Sequence, residues 1–137
     1  MKYINLIVLF GASLFCGCNS YFYWPEKTPP VPEYSRDSDI NIRYFKAVDG
    51  TILQGWTIPT HQRPPKGLVV FCHGADSHIG EYYDAVKFIH EHGYDLFMFD
   101  YRGYGGSQGS PNRNGTIADT NAAIEFAKQD PLIRNDK

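Results

Sequence analysis

One serine in the sequence lies in a motif that often contains a catalytic nucleophile. Ser107 lies in the run Gly105-Gly106-Ser107-Gln108-Gly109, which matches the Gly-x-Ser-x-Gly pattern. In that pattern the serine sits directly between a strand and a helix, so that its hydroxyl projects from a sharp turn. Here the preceding strand is expected to end near Tyr101, and a polar loop from Ser110 to Gly115 follows. We therefore predict that Ser107 is not a nucleophile and that its glycines let the loop pass close to a site.

A cysteine and several histidines are the other reactive candidates. Cys72 lies in an apolar run, where a free cysteine is usually a small core residue. His73 follows it as a candidate base. A metal is the alternative, because His73, Asp76 and His78 cluster, as do His90 and His92. No established metal-ligand spacing is present, however, and residues two apart on a helix face different ways. We predict solvated histidines, no metal and no organic cofactor.

Apolar patterning predicts the elements that position these residues. A strand from Ile40 alternates with polar residues, and a hairpin turn at residues 48–51 returns it through a strand ending at Ile58. Continuous apolar runs at residues 67–72 and 94–100 predict strands covered on both faces. A helix over residues 82–93 would stop at Gly93. The order β-β-β-α-β-α ends in a parallel crossover unit and indicates the α/β class.

The last helix has its own predicted start and buried face. Thr116 with Asp119 three residues later is similar to a capping box, and Pro131 would end the helix. Its expected inner face consists of Ile117, Thr120, Ile124 and Ala127.

Length and composition indicate a single domain that follows an N-terminal targeting segment. The 137 residues are 42% hydrophobic and 20% charged with a net charge of −2, which gives no support for nucleic-acid binding. Lys2 and the short apolar run of residues 4–15 are typical of a signal peptide over residues 1–17. The segment ending Gly17-Cys18 resembles a bacterial lipobox. That resemblance implies a lipid on Cys18 and, because Asn19 is not aspartate, outer-membrane sorting. An uncleaved anchor or a plain secretory signal are the alternatives.

Residues 18–38 are predicted to be a linker, and residues 39–137 the domain. Four prolines between Ser20 and Ser35 favour an extended chain, and its aromatic residues could lie at the lipid interface or cover the edge of the domain. With Cys16 in the signal and Cys18 lipidated, only Cys72 remains, so no intrachain disulfide can form.

Two motifs, each after a predicted strand, carry a resemblance to a known family. Val69 to Ala75 ends a strand in His-Gly, and Phe99 to Pro111 reads FDYRGYGGSQGSP. Together they resemble the N-terminal half of the α/β-hydrolase superfamily, most of all its serine-aminopeptidase-like and Bem46-like branch. The resemblance covers roughly residues 40–137.

The resemblance implies roles for these loops. The backbone N–H of Ala75, beside Gly74, would be one oxyanion-hole donor. His73 would shape its loop rather than act as the base, and Asp100, Arg102, Gly103 and Gly105 would shape the second loop. The family's serine, acid and histidine follow later in the chain, so no catalytic triad residue is expected among these 137.

The same resemblance implies an open sheet edge. In this superfamily the third strand lies between the fourth and the fifth, so residues 68–72 would lack one neighbour. We expect a fragment of a membrane-anchored hydrolase of ester, thioester or peptide bonds, inactive alone and missing its C-terminal half. The alternatives are a non-catalytic lipoprotein that pairs with a partner or another copy through this edge, and a degenerate product without function.

Overall fold

The computed structural model describes residues 22–27 and 39–134. Within them, four strands and four helices follow the predicted order, with short helices added. The strands are β1 (Asn41–Lys46), β2 (Ile52–Ile58), β3 (Leu68–Cys72) and β4 (Asp95–Phe99). The helices are α1 (Ile79–Val86), α2 (Phe88–Glu91), α3 (Arg113–Gln129) and α4 (Pro131–Arg134). The predicted signal peptide and Cys18 lie outside the described residues.

The strands form one mixed sheet in the order β1-β2-β4-β3. β1 pairs antiparallel with β2, β2 antiparallel with β4, and β3 parallel with β4. The predicted hairpin is confirmed: Gly50 has φ of 84°, and its N–H donates to the Ala47 carbonyl over 2.9 Å. The positive φ suits glycine, which has no Cβ to clash.

Helices cover both faces of the sheet, as the continuous apolar strands predicted. Every residue of β4 is buried. Phe97 and Phe99 pack on the face covered by α3, whereas Leu96 and Met98 pack on the face covered by α1. Successive side chains of a strand point to opposite faces, so a central strand with two covered faces must be apolar throughout.

β3 is the edge strand of this sheet. It pairs only with β4 among the described residues, and the residues of its two faces are partly buried. The predicted open edge is therefore present in the structure. The prediction that Cys72 is a core residue is wrong: its side chain is exposed, because it ends this edge strand with no neighbour on the outer side among the described residues.

The first predicted helix starts earlier than expected. α1 begins at Ile79, and the His78 ring accepts a hydrogen bond from the Gly80 N–H over 3.1 Å as the N-cap. Lys87, with φ of −56° and ψ of −27°, joins α1 to α2. The predicted stop at Gly93 is confirmed, since Gly93 has φ of 95°.

The capping prediction for the last helix is wrong. Asn112 is the N-cap of α3, and its side-chain oxygen accepts from the Gly115 N–H over 2.8 Å. Asp119 cannot serve a capping box because its carboxylate binds Arg102. This pairing also fixes the rotation of the helix. The buried positions are Gly115, Asp119, Ala123 and Ala127. Ile117, which we predicted to face the core, is therefore 55% exposed.

Candidate functional site

Two loops meet at the carboxyl ends of β3 and β4. The His-Gly loop (residues 73–78) follows β3, and the Gly-rich loop (residues 100–112) follows β4. Ligand sites of open α/β sheets lie at this end of the strands. A pocket of about 190 Å³ opens between the loops, and its lining residues are Tyr23, His73, Gly74, Ala75, Tyr101, Tyr104 and Thr116.

His73 joins the two loops through both of its ring nitrogens. Nδ1 lies 2.6 Å from the Gly74 carbonyl oxygen, and Nε2 accepts a hydrogen bond from the Tyr101 N–H over 3.2 Å. This pattern requires the proton on Nδ1. Burial lowers the pKa of His73 from its ordinary 6.5, which favours the neutral ring at neutral pH. With both nitrogens bonded to backbone, the ring is placed to shape the loop and not to take a proton from a nucleophile.

The orientation of the Ala75 N–H follows from the His73 bond. The Gly74 carbonyl and the Ala75 N–H belong to one planar trans peptide and point in opposite directions. Because His73 holds the carbonyl, it also sets the direction of the N–H. The Ala75 N–H donates no hydrogen bond within the described part of the chain.

The peptide on the other side of Ala75 is held as well. Its carbonyl accepts from the Tyr104 hydroxyl over 2.9 Å and from the Trp24 N–H over 3.1 Å. Burial raises the pKa of Tyr104, so the phenol stays protonated and remains a donor. The result is a fixed backbone N–H in a pocket wall, which is the kind of group that stabilises a developing oxyanion.

Gly74 is needed for space rather than for its backbone angle. It is not among the glycines with positive φ. A Cβ there would lie 2.7 Å from the Tyr82 hydroxyl and 2.9 Å from Asp76 Oδ1. Tyr82 donates to Asp76 over 2.7 Å, and this bond lowers the pKa of Asp76. A side chain at Gly74 would therefore push against a bonded pair that borders the loop.

Asp100 binds backbone groups at the start of α1, directly after the His-Gly loop, and in the Gly-rich loop. Its carboxylate is fully buried and accepts from the Ile79 N–H over 2.9 Å and from the Gly106 N–H over 3.2 Å. Burial raises the pKa of Asp100, and His73 Nε2 lies 4.0 Å from Oδ1. Gly105, with φ of 44°, packs so closely on this carboxylate that a Cβ would overlap it. Asp100 thus ties the start of α1 to the Gly-rich loop.

Arg102 connects the Gly-rich loop to α3 and to the β1–β2 turn. Its Nη2 donates to Asp119 over 2.8 Å, and its Nη1 donates to Asp49 over 2.7 Å. The guanidinium lowers the pKa of Asp49. Gly103, with φ of 86°, lets the loop turn so that its N–H reaches the Gln108 carbonyl over 2.9 Å. Gly115, which sequence reasoning passed over, gives the guanidinium its space.

Ser107 is a structural residue in this arrangement. It is 2% exposed, its hydroxyl donates to the Asp100 carbonyl over 2.6 Å, and it accepts from the Gln54 N–H over 2.9 Å. It does not line the pocket. These bonds explain the serine at this position as a structural residue, without any reaction with a substrate.

The prediction of solvated histidines is wrong for three of them. His73, His78 and His90 are 6%, 2% and 5% exposed. The first two are buried because their ring nitrogens bond to backbone groups of the loops and of α1. In the described ranges, no three His, Cys, Asp or Glu residues are grouped as metal ligands would be.

Sequence reasoning missed the aromatic walls of the pocket. Tyr101 and Tyr104 each place a ring edge-on to His73, with centroids 5.0 and 5.1 Å away. Tyr23 comes from the predicted linker. The two loop tyrosines follow the buried strand β4 among glycines, and this placement was the available signal. For Tyr23 the available signal was its place in the aromatic linker, which we expected to lie at the lipid interface or to cover the edge of the domain, but its contact with the pocket depends on the tertiary fold.

The comparisons with known proteins agree with this geometry. Residues 63–134, more than half of the chain, match the family model described as serine aminopeptidase, S33. The uncharacterized protein YfhR of Salmonella typhimurium is 36% identical over 110 residues, which are 78% of this chain and 37% of that protein. YfhR of Escherichia coli is 32% identical over 112 residues, 80% of this chain and 38% of that protein. The chain therefore spans well under half the length of these relatives.

Solved structures support the same fold. An esterase of Pyrococcus furiosus has a TM-score of 0.65 at 19% identity, with 82% of this chain and 43% of that chain covered. The α/β-hydrolase GrgF of a Penicillium species has a TM-score of 0.55 at 27% identity, with 67% and 33% covered. The predicted resemblance and fold class are confirmed, and the match is to an N-terminal portion of the fold. By its sequence match and its sheet, the chain belongs to the serine aminopeptidase S33 family of α/β-hydrolases.

Proposed function

We propose that this chain is the N-terminal part of a membrane-anchored serine hydrolase of ester, thioester or peptide bonds. The observation that carries the proposal is the Ala75 N–H, fixed by His73 in the wall of the pocket. In acyl transfer a serine attacks a carbonyl carbon, and the carbonyl oxygen becomes an oxyanion that needs two aimed N–H donors. Ala75 would supply one donor, and the residue after the nucleophile would supply the other.

The nucleophile, its base and its acid would come from the remainder of the fold. The chain spans 37% of the length of YfhR, and both of its reactive-looking groups near the pocket are otherwise engaged. His73 bonds to backbone at both nitrogens, and Ser107 bonds at its hydroxyl in both directions. Alone, the 137 residues are expected to hydrolyse nothing, since the covalent route needs a nucleophile–base pair.

Ala75→Pro in a polypeptide that continues through the rest of the fold tests this role. Proline has no N–H, so turnover of a p-nitrophenyl acyl ester should fall by ~10²–10³. Ala75→Ser, which keeps the N–H, is the matched control and should retain activity. Circular dichroism and urea unfolding would show whether the proline variant keeps its fold. Unchanged turnover in a folded Ala75→Pro variant would contradict the role.

A second candidate rests on the edge of the sheet. β3 has no partner on its outer side among the described residues, and an open apolar edge pairs readily with another strand. A non-catalytic lipoprotein could use it to bind a partner or another copy. A stable oligomer of the 137-residue chain, without ester hydrolysis in the membrane extract, would favour this alternative.

The anchor is proposed from sequence alone. The Gly17-Cys18 motif supports lipid attachment at Cys18, with outer-membrane sorting. No helix in the described portion of the chain has the length and apolar character to cross a bilayer. Mass spectrometry of the membrane-extracted protein tests the anchor, because diacylation would shift the mass of the N-terminal peptide and Cys18→Ser would abolish the shift.

A further inference from the structure

The segment Phe22–Lys27, here called the strap, lies across both loops of the candidate site. The Trp24 N–H donates to the Ala75 carbonyl over 3.1 Å, and the Gly105 N–H donates to the Glu26 carbonyl over 2.7 Å. Ser77 donates to Glu26 Oε2 over 2.9 Å. These bonds fix the strap to the His-Gly loop on one side and to the Gly-rich loop on the other.

The strap turns alternate aromatic side chains in opposite directions. Tyr23 is half-buried and lines the pocket beside Ala75. Phe22 and Trp24, on either side of it, are 66% and 63% exposed. Two large exposed aromatic side chains therefore lie beside the residue that lines the pocket, and we call them the aromatic patch.

Chain length limits how far this patch can be from a lipid on Cys18. Three residues lie between Cys18 and Phe22, and the four Cα–Cα steps would span only about 14 Å even in a fully extended chain. The hydrocarbon core of a bilayer is about 30 Å thick. An acylated Cys18 would therefore keep the patch within about 14 Å of the bilayer surface. This step rests on the anchor proposed above.

The chemistry of the strap suits an interface with phospholipid. Tryptophan concentrates at the level of the headgroups, and segments that lie in the interface also bury phenylalanine at the boundary with the acyl chains. The two charged side chains of the strap are already engaged with the protein: Glu26 accepts from Ser77, and Lys27 Nζ donates to the Ser107 carbonyl over 2.7 Å. On approach to a bilayer, each charged group would therefore keep a hydrogen-bond partner within the protein.

We propose that Phe22 and Trp24 dock in the headgroup region of a phospholipid bilayer, so that the pocket beside Ala75 opens at the membrane surface. The partner is the bilayer itself, and the strap sets the orientation of the domain on it. The site would then receive substrates that partition into the membrane.

The two tryptophans of the chain provide the test. Trp24 is 63% exposed, whereas Trp56 is 1% exposed in the core. The membrane-extracted protein would be reconstituted in vesicles of phosphatidylethanolamine and phosphatidylglycerol, with and without brominated acyl chains that quench tryptophan on contact. We expect a blue shift and loss of Trp24 emission, and in Trp24→Phe only the unquenched emission of Trp56. Quenching of Trp24 no greater than that of Trp56 would overturn the proposal.

A matched control excludes general adsorption. Phe88 is 53% exposed in α2, which precedes β4 at the opposite end of the strands from the pocket. In Trp24→Phe/Phe88→Trp the new tryptophan should stay unquenched. Equal quenching at both positions would mean that the protein has no fixed orientation and would overturn the proposal.

Failure of the anchor and failure of docking give different results. A lipidated protein with unquenched Trp24 keeps the anchor and refutes the docking. If Cys18 carries no lipid, the anchor is refuted. Quenching of Trp24 by the vesicles would then still support docking, and its absence would refute docking. Neither the detection of the lipid nor the quenching of Trp24 depends on hydrolysis. Both results would therefore stand even if the proposed hydrolase activity were refuted.

Discussion

The two loops at the carboxyl ends of β3 and β4 differ in how fully their polar groups are used. In the Gly-rich loop, the carboxylate of Asp100, the guanidinium of Arg102 and the hydroxyl of Ser107 all bond within the protein. In the His-Gly loop, the Ala75 N–H has no acceptor among the described residues. The polar side chains of the Gly-rich loop thus support the structure, whereas the His-Gly loop presents the backbone N–H that we propose as an oxyanion donor.

Arg102→Ala should break the support with the largest effect. Asp119 is fully buried, and without the guanidinium its carboxylate would lose its charged partner and keep the bond from the backbone N–H of residue 102. Breaking a buried pair in this way costs about 3–5 kcal/mol of the free energy of unfolding. Urea denaturation would measure the loss. Lys128→Ala, which breaks the exposed pair with Glu125, is the control and should cost less than about 1 kcal/mol. Similar losses in both variants would refute the supporting role.

Ser107→Ala should have a smaller effect on stability. The variant would leave the Gln54 N–H and the Asp100 carbonyl without a partner, which costs about 1–3 kcal/mol. Ser110→Ala, at an exposed position of the same loop, should be close to neutral in the same urea series. Hydrolysis by the longer polypeptide should persist in Ser107→Ala once it is folded. Complete loss of turnover with unchanged stability would reverse the comparison between the loops.

The pH dependence of stability should sharpen the role of His73. Burial lowers its pKa below the ordinary 6.5, so the unfolded chain binds a proton at His73 more readily than the folded chain. Stability from this group is present above pH 6.5 and is lost as the pH falls toward the folded pKa. The raised pKa of Asp100 acts in the opposite sense, because the folded state then takes up the proton more readily.

Unfolding free energies measured from pH 7.5 to 5 would test this balance. His73→Asn should flatten the loss of stability below pH 6.5 that this histidine causes. The same substitution at exposed His92 is the control for removing a histidine elsewhere. Equal profiles for the two variants would contradict a buried, neutral His73.

Local patterns were sufficient to predict the strands of the sheet and the two loops that follow β3 and β4. The alternation in β1, the apolar runs of β3 and β4 and the turn at Gly50 each reflect a constraint within a few residues. The open edge of β3 followed from the family resemblance. What the sequence did not predict depends on contacts between distant residues.

Three outcomes illustrate this dependence on tertiary contacts. Asp119 pairs with Arg102 and rotates α3, which leaves Ile117 exposed. His73 is buried where the Tyr101 N–H of the other loop bonds to its ring. The strap reaches Ala75 across about fifty residues of sequence, and no periodic pattern encodes such a contact.

Labelling of the membrane-extracted protein with a fluorophosphonate is the most direct test of the central claim. The reagent bonds covalently to an activated serine, and peptide mass spectrometry would locate it. We expect a label on a serine beyond residue 137 of a longer polypeptide, with Ser107 unmodified. A label on Ser107, or a protein that takes no label, would contradict the assignment of the Gly-rich loop as support and of Ala75 as an oxyanion donor.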